Sequence, residues 1–193
     1  MGKNAVFLDR DGTIIEDVNY LSDLRDITWI KGAKESIKAL NEAGYQVVIV
    51  TNQSGIARGL LDESLLQRVH QAINDDLRHL GAHIDAFYYC PHHPDIGSPQ
   101  YKKICSCRKP EPGLIYQASQ DMDIDLERSF LIGDNLRDIE AGLRAGLTPI
   151  LVLTGKGKDF KERILTVPTY KSIKIFPSIV EATRWILTST WCF

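Results

Sequence analysis

Short runs of consecutive apolar residues alternate along this chain with stretches in which apolar residues recur every three or four positions. Ala5-Val6-Phe7-Leu8 is the first run; Val47-Val48-Ile49-Val50, Phe87-Tyr88-Tyr89, Phe130-Leu131-Ile132 and residues 149–153 follow. Runs this short and this continuous read as strands buried on both faces, and a proline is tolerated where the fifth one starts. Between them the spacing predicts helices over 33–43, closed by Gly44 as the C′ residue, over 113–121 and over 136–145. Asp62 caps a longer helix whose stripe Leu65, Val69, Ile73 and Leu77 faces the core. Ser178 with Glu181 forms a capping box for a final helix carrying Ile186 and Leu187. Two polar loops, 12–31 and 90–112, carry neither pattern, and the lysines at 156, 158 and 161 read as a solvated loop beyond the last strand. Alternation of this kind predicts an α/β fold, a doubly wound, mostly parallel sheet covered by helices on both faces. With no repeat, low-complexity tract or long linker, residues 1–193 read as a single domain.

Composition narrows the partners. In 193 residues, 44% hydrophobic, the chain can bury one good core. A charged content of 25% and a net charge of -2 give no polyanion-binding surface, so nucleic acid is not an expected partner. No apolar run approaches bilayer length, Lys3 leads directly into the first strand without a signal-peptide core, and Val6 stands where a myristoylation signal needs a hydroxyl. A cytoplasmic monomer with reduced thiols and no membrane partner is expected. His70 and His79 read as surface or boundary residues of the long helix, and His83 as part of the turn after it.

The polar residues change the picture, because they gather at the carboxyl ends of the predicted strands, where a parallel sheet opens its binding crevice. Asp9 and Asp11 follow the first strand, Thr51-Asn52-Gln53-Ser54-Gly55 the second and Gly133-Asp134 the fourth, while Arg108-Lys109 precede a helix. A phosphate monoester dianion repels an attacking carboxylate, so an aspartate nucleophile needs a divalent metal and a lysine beside it. Asp9 with Asp134 can hold Mg2+, a hard cation that takes oxygen ligands. Thr51 offers a hydroxyl and Lys109 a point charge to the phosphoryl oxygens. The attacking carboxylate forms an acyl phosphate that water cleaves; Asp11 protonates the departing alkoxide and later deprotonates the water.

A second constellation is Cys90-Pro91-His92 with Cys105-Ser106-Cys107. Three thiolates and an imidazole make a closed tetrahedral set of the kind structural zinc prefers, and a metal clip would hold a loop too irregular for packing to hold. His93, adjacent to His92, is the alternative imidazole. Arg108 and Lys109 come directly after the last ligand, so zinc would fix the stretch that aims them. Cys192 is given no role.

Asp9-Arg10-Asp11-Gly12-Thr13, Thr51-Asn52-Gln53, Lys109-Pro110 and Gly133-Asp134 with Asp138 resemble the four motifs of the haloacid-dehalogenase superfamily. Within it, the run from Thr51 to Gly59 and Cys105-Ser106-Cys107-Arg108-Lys109-Pro110 resemble the heptose bisphosphate phosphatases and the closely similar histidinol phosphatases. The resemblance implies a Rossmann-like fold with a minimal cap and a zinc loop. It also implies Asp9 as nucleophile, Asp11 as general acid/base, and phosphoryl contacts from Thr51 and Lys109. Mg2+ would sit on Asp9, the backbone of Asp11 and Asp134, and zinc on Cys90, His92, Cys105 and Cys107. Arg108 would recognise the remote part of the substrate, with Asp17, Val18, Asn19, Tyr20, Asn52, Gln53 and Ser54 lining its site. The implied substrate is a small sugar phosphate, D-glycero-D-manno-heptose 1,7-bisphosphate losing its 7-phosphate on the way to nucleotide-activated heptose for lipopolysaccharide or another surface glycan, with either anomer open. Histidinol phosphate is the alternative; Arg108 beside the lysine favours a second phosphate, which its fork matches. A zinc-stabilised, non-catalytic interaction protein is the remote alternative, against which stand Asp9, Asp11, Lys109 and Asp134 together. One departure is visible: Asn135 stands where many relatives carry lysine.

Overall fold

The computed structural model describes residues 2–189; Cys192 lies outside them. Strands β1 (Ala5–Leu8), β2 (Gln46–Asn52), β3 (Ala86–Cys90), β4 (Phe130–Gly133), β5 (Thr148–Val152) and β6 (Lys174–Phe176) form one sheet in the order β3-β2-β1-β4-β5-β6. Every pairing is parallel. Helices α1 (Ala33–Glu42), α2 (Glu63–Arg78), α3 (Gly113–Met122), α4 (Leu136–Ala145), α5 (Gly157–Thr166) and α6 (Ile179–Ser189) cover it. The chain walks outward from β1 to β3, then returns to the other side of β1 at β4, so the crevice between these halves opens at the carboxyl ends of β1, β2 and β4.

Alternation along the central strands divides their side chains between two cores. Val6 and Leu8 of β1 and Val47 and Ile49 of β2 pack with Ile37 of α1, Ile73 of α2 and Ile186 of α6. Ala5, Phe7, Val48 and Val50 face the other way, onto Leu114, Ile115 and Ala118 of α3 and Ala141 of α4. All four residues of β1 are fully buried, and each large side chain there contributes about 2 kcal/mol from burial. Asp62 caps α2 by accepting from Leu65 N at 2.6 Å, and Glu181 reaches back to Ser178 N at 3.0 Å while Ser178 Oγ accepts from Val180 N.

The structure corrects the sequence reading in three places. Residues 157–166 form helix α5 rather than a loop, although they bury only Gly157 and Ile164; β6 adds a sixth strand of three residues whose first, Lys174, is exposed. Neither segment has an apolar period strong enough to announce it. His70 is buried, not peripheral: it stacks on Phe87 with ring centroids 4.4 Å apart, and burial, aided by the Arg10 charge, pushes its pKa down to about 3. His79 and His83 are exposed as expected. The 12–31 loop builds no cap domain; its apolar residues Ile14, Ile15, Leu21 and Ile30 are drawn into the core. No described helix is long and apolar enough to cross a membrane.

Candidate active site

Asp9 continues the ladder one residue past β1, its N–H donating to Ile132 O at 2.9 Å. Asp134, one residue past β4, needs two bare glycines beside it: a Cβ on Gly12 or on Gly155 would stand 2.2 or 2.1 Å from its Oδ2. Both glycines also hold positive φ angles, 81° and 50°, which glycine alone adopts at little cost. Asp138 enters from the first turn of α4, where its Oδ2 accepts from Asn135 N at 3.0 Å while Asn135 accepts from Arg137 N, a capping box. Position 135 thus spends its side chain on capping the helix.

One oxygen each of Asp9, Asp134 and Asp138 lie within 4.8 Å of one another, all three residues buried. The counter-charge is Lys109, itself 2% exposed. Its Nζ lies 2.9 Å from Asp9 Oδ1 and 2.6 Å from Asp138 Oδ1, and donates to Val50 O at 2.7 Å. Burial works against the ammonium, but Asp138 and Asp9 outweigh it and hold the Lys109 pKa above the ordinary lysine value. One ammonium does not balance three carboxylates. Burial first, and then the Asp9 charge, push Asp134 up to about 7. An excess of buried negative charge presented through carboxylate oxygens alone fits a hard divalent cation such as Mg2+. Asp138 is legible in the sequence as part of the fourth motif, but its work as second counter-ion to Lys109 is not.

The Asp11 side chain takes no part in that cluster. Arg10, 1% exposed, grips it through Nε at 3.2 Å and through Nη2 at 3.0 Å to each oxygen, a forked contact that fixes orientation as well as charge. Gln53 Nε2 donates to Asp11 Oδ2 and to Thr51 Oγ1, both at 2.9 Å. Asn52 closes on the main chain of Lys109, donating to its carbonyl and accepting from its N–H at 3.0 Å each. The Asn52 amide is therefore engaged at both ends on Lys109, and the Gln53 amide nitrogen on Asp11 and Thr51. Sequence reasoning assigned Arg10 nothing; the only signal was its place between two functional aspartates.

These groups border a polar cavity of about 130 Å³. Asp9, Asp11, Thr51 and Asp134 line it, and so do the expected substrate contacts: Asp17, Val18, Asn19 and Tyr20 from one loop, Asn52, Gln53 and Ser54 after β2, and Arg108; Lys109 lies behind Asp9, outside the lining. Arg137 and Lys156 reach the same cavity, so Lys156, read from sequence as merely solvated, is part of the cleft; it pairs with Asp17 at 3.0 Å. Burial alone would raise the Asp17 carboxyl, but Lys156 and the Asn19 N–H outweigh it and hold it below the ordinary value.

The cysteine constellation closes as a compact tetrahedron. Cys90, the last residue of β3, lies 3.6 Å from Cys105 Sγ, 3.6 Å from His92 Nδ1 and 3.3 Å from Cys107 Sγ. The remaining edges are 3.2 Å (His92 to Cys105), 3.3 Å (His92 to Cys107) and 3.2 Å (Cys105 to Cys107). The centre of such a figure lies about 2.1 Å from each corner, close to zinc–nitrogen and zinc–sulfur bond lengths of about 2.0 to 2.3 Å. The donor set fits zinc. Contact with Cys90 pushes the Cys107 thiol down to about 5 against the cost of its burial, and the same contact pushes Cys90 up. His93 is not in the cluster; its Nδ1 accepts from Asp95 N and Ile96 N at 3.1 and 3.2 Å. Arg108 Nη1 donates to His92 O at 3.0 Å, which ties the cleft guanidinium to the cysteine loop.

Comparison with known proteins gives the family. Residues 6–87 match the haloacid dehalogenase-like hydrolase family and residues 106–182 a HAD-hydrolase-like family. The D-glycero-beta-D-manno-heptose-1,7-bisphosphate 7-phosphatase of Vibrio cholerae is 42% identical over 92% of this chain and 96% of its own. The protein of the same name from Photorhabdus laumondii is 47% identical over 80% of this chain and 83% of its own. The crystal structure of D,D-heptose 1,7-bisphosphate phosphatase from B. bronchiseptica, complexed with magnesium and phosphate, superposes with a TM-score of 0.86 at 32% identity, covering 96% of this chain and 99% of that one. The chain belongs to the D-glycero-beta-D-manno-heptose-1,7-bisphosphate 7-phosphatase family of haloacid dehalogenase-like hydrolases.

Proposed function

We propose that this protein is a Mg2+-dependent phosphatase that removes the 7-phosphate of D-glycero-beta-D-manno-heptose 1,7-bisphosphate, through a phosphoaspartyl intermediate on Asp9. The observation that carries the reading is Asp9 lining a polar cleft with the Lys109 ammonium 2.9 Å from its Oδ1. That pairing suits a carboxylate which must approach an anion. An Asp9 oxygen attacks phosphorus as the bond to the sugar oxygen breaks, and Asp11 gives its proton to that oxygen. Asp11 then takes a proton from water, which attacks phosphorus and frees phosphate and the Asp9 carboxylate. Lys109 and the Thr51 hydroxyl stabilise the phosphoryl oxygens. Asp9, Asp134 and the main chain of Asp11 would hold Mg2+, which supplies, when bound, the positive charge that offsets repulsion between dianion and nucleophile.

Cys90, His92, Cys105 and Cys107 would hold a structural zinc, which would tie down the loop whose His92 carbonyl anchors Arg108. The beta anomer, which the residues alone leave open, is chosen on the names of the relatives. The enzyme works as a cytoplasmic monomer of one domain, upstream of nucleotide-activated heptose for lipopolysaccharide or another surface glycan. Phosphate release with Mg2+ from the two heptose bisphosphate anomers and from histidinol phosphate, at equal concentration, tests this. The beta anomer is expected to exceed each of the others in kcat/KM by about tenfold or more. A preference for histidinol phosphate would overturn the substrate assignment.

A further inference from the structure

The cations of the cleft differ in whether a carboxylate already claims them. Arg10 is committed to Asp11, Lys109 is held by Asp9 and Asp138, and Lys156 pairs with Asp17. Arg108 and Arg137 remain. Both line the cavity, and among the described residues neither forms a salt bridge. Arg108 is anchored only by one hydrogen bond to a main-chain carbonyl. Arg137 stands in the first turn of α4, where its buried Nε has no hydrogen-bond partner.

Two guanidiniums with no carboxylate at salt-bridge distance thus line one polar cavity, an arrangement suited to a bound anion. A guanidinium presents a planar fork of N–H donors that matches a phosphate. Arg137 falls within the span of the fourth motif without being one of its residues, and no hydrogen bond of its side chain within the fold requires it there.

We propose that Arg137 binds the second, non-reacting phosphate of the substrate and, together with Arg108 in the same cavity, sets the preference of this enzyme for a bisphosphate. The proposal rests on the reading of the protein as a sugar bisphosphate phosphatase. In this arrangement the phosphate that leaves faces Asp9 and is contacted by Thr51 and Lys109, with Asp134 left to hold Mg2+, while the Arg108 and Arg137 forks hold the one that stays. Arg137 binds and selects; it does not touch the reacting atoms.

The test compares heptose 1,7-bisphosphate with heptose 7-phosphate, which keeps the reacting group and lacks the second phosphate. Steady-state constants are measured for wild type, Arg137→Gln, Arg137→Lys and Arg108→Gln, all with Mg2+. The ratio of kcat/KM for bisphosphate over monophosphate is expected to fall about 10- to 100-fold in Arg137→Gln, mostly through KM. Arg137→Lys, with a charge but no fork, is expected to keep part of the preference. The Arg108→Gln and Arg137→Gln effects are expected to be non-additive in the double variant, because both grip one group. An unchanged ratio in Arg137→Gln would overturn the proposal, as would an equal loss on both substrates, which marks a structural role or a contact with the transferred phosphate. A wild-type enzyme that shows no preference for the bisphosphate would instead overturn the substrate reading itself, and the proposal with it.

Discussion

At the scale of single residues, the site is organised by what holds Lys109 and Asp11 still. Lys109 is gripped at its main chain by both ends of the Asn52 amide and at its ammonium by Asp9, Asp138 and Val50 O. Asn52→Ala removes the first pair of contacts without touching the charge. It is expected to lower kcat about 10- to 100-fold with little change in KM, because a displaced lysine weakens the transition state more than binding; a rise in KM at unchanged kcat would mark Asn52 as a substrate contact instead. Four types of signal make residues of this site readable from sequence: a strand end, a fixed spacing, a carboxylate pair and a lysine before a helix. Arg10 and the two roles of Asp138 escape that reading, because an arginine inside a motif and an aspartate in a helix turn look the same whether they face solvent or another side chain.

Among the elements, the cysteine loop carries the most consequence. It starts at the last residue of β3, returns to the same point through the Cys105 and Cys107 contacts, and hands on directly to Arg108 and Lys109. Packing holds the loop only in part: Tyr101 packs beside Ile56, Leu61 and Leu66 and donates to Glu63 at 2.7 Å, but Ile104, between the two halves of the cluster, is 90% exposed. Cys107→Ser should therefore abolish zinc retention, open the 91–106 segment to limited proteolysis and raise KM for the bisphosphate about tenfold or more through loss of Arg108 placement. Metal analysis of the purified variant against wild type checks it; a wild-type protein free of zinc, or a variant with unaltered cleavage and KM, would contradict it.

The legibility of the fold has the same basis. β1, β2 and β4 lie in the middle of the sheet, and their continuous apolar runs follow from burial on both faces. The helices α1, α2, α4 and α6 each declare a cap or a stripe. By contrast α5 and β6 lie at the far edge of the sheet, where partial burial asks for few apolar residues, and His70 is buried by stacking on Phe87, a contact that no periodicity encodes.

For the whole molecule, the buried carboxylates link stability to pH and to metal. With its pKa raised to about 7, Asp134 is protonated in the metal-free fold under mildly acidic conditions. Its contribution to stability is fully present below the ordinary aspartate range and is lost as pH rises through about 7, a loss on the order of 4 kcal/mol. Mg2+ takes the ionised form, so its affinity falls about tenfold per pH unit below 7 and levels off above it. The rise in Tm produced by Mg2+ should accordingly be largest above about pH 7 and shrink towards about pH 5.5, and Asp134→Asn should remove most of it. Melting curves with and without Mg2+ across that range decide the matter; a metal-induced shift of equal size at both ends would contradict the coupling.

All of this converges on the Asp9 carboxylate as the group that receives the phosphoryl. The most direct measurement is acid quenching of the enzyme during turnover of heptose 1,7-bisphosphate with Mg2+, followed by peptide mapping, for wild type and Asp9→Asn. The account predicts a phosphoryl group on the wild-type peptide that carries Asp9, none on the variant, and a variant that keeps its fold but loses at least about 10³-fold in kcat. Phosphate release by Asp9→Asn at the wild-type rate would contradict it.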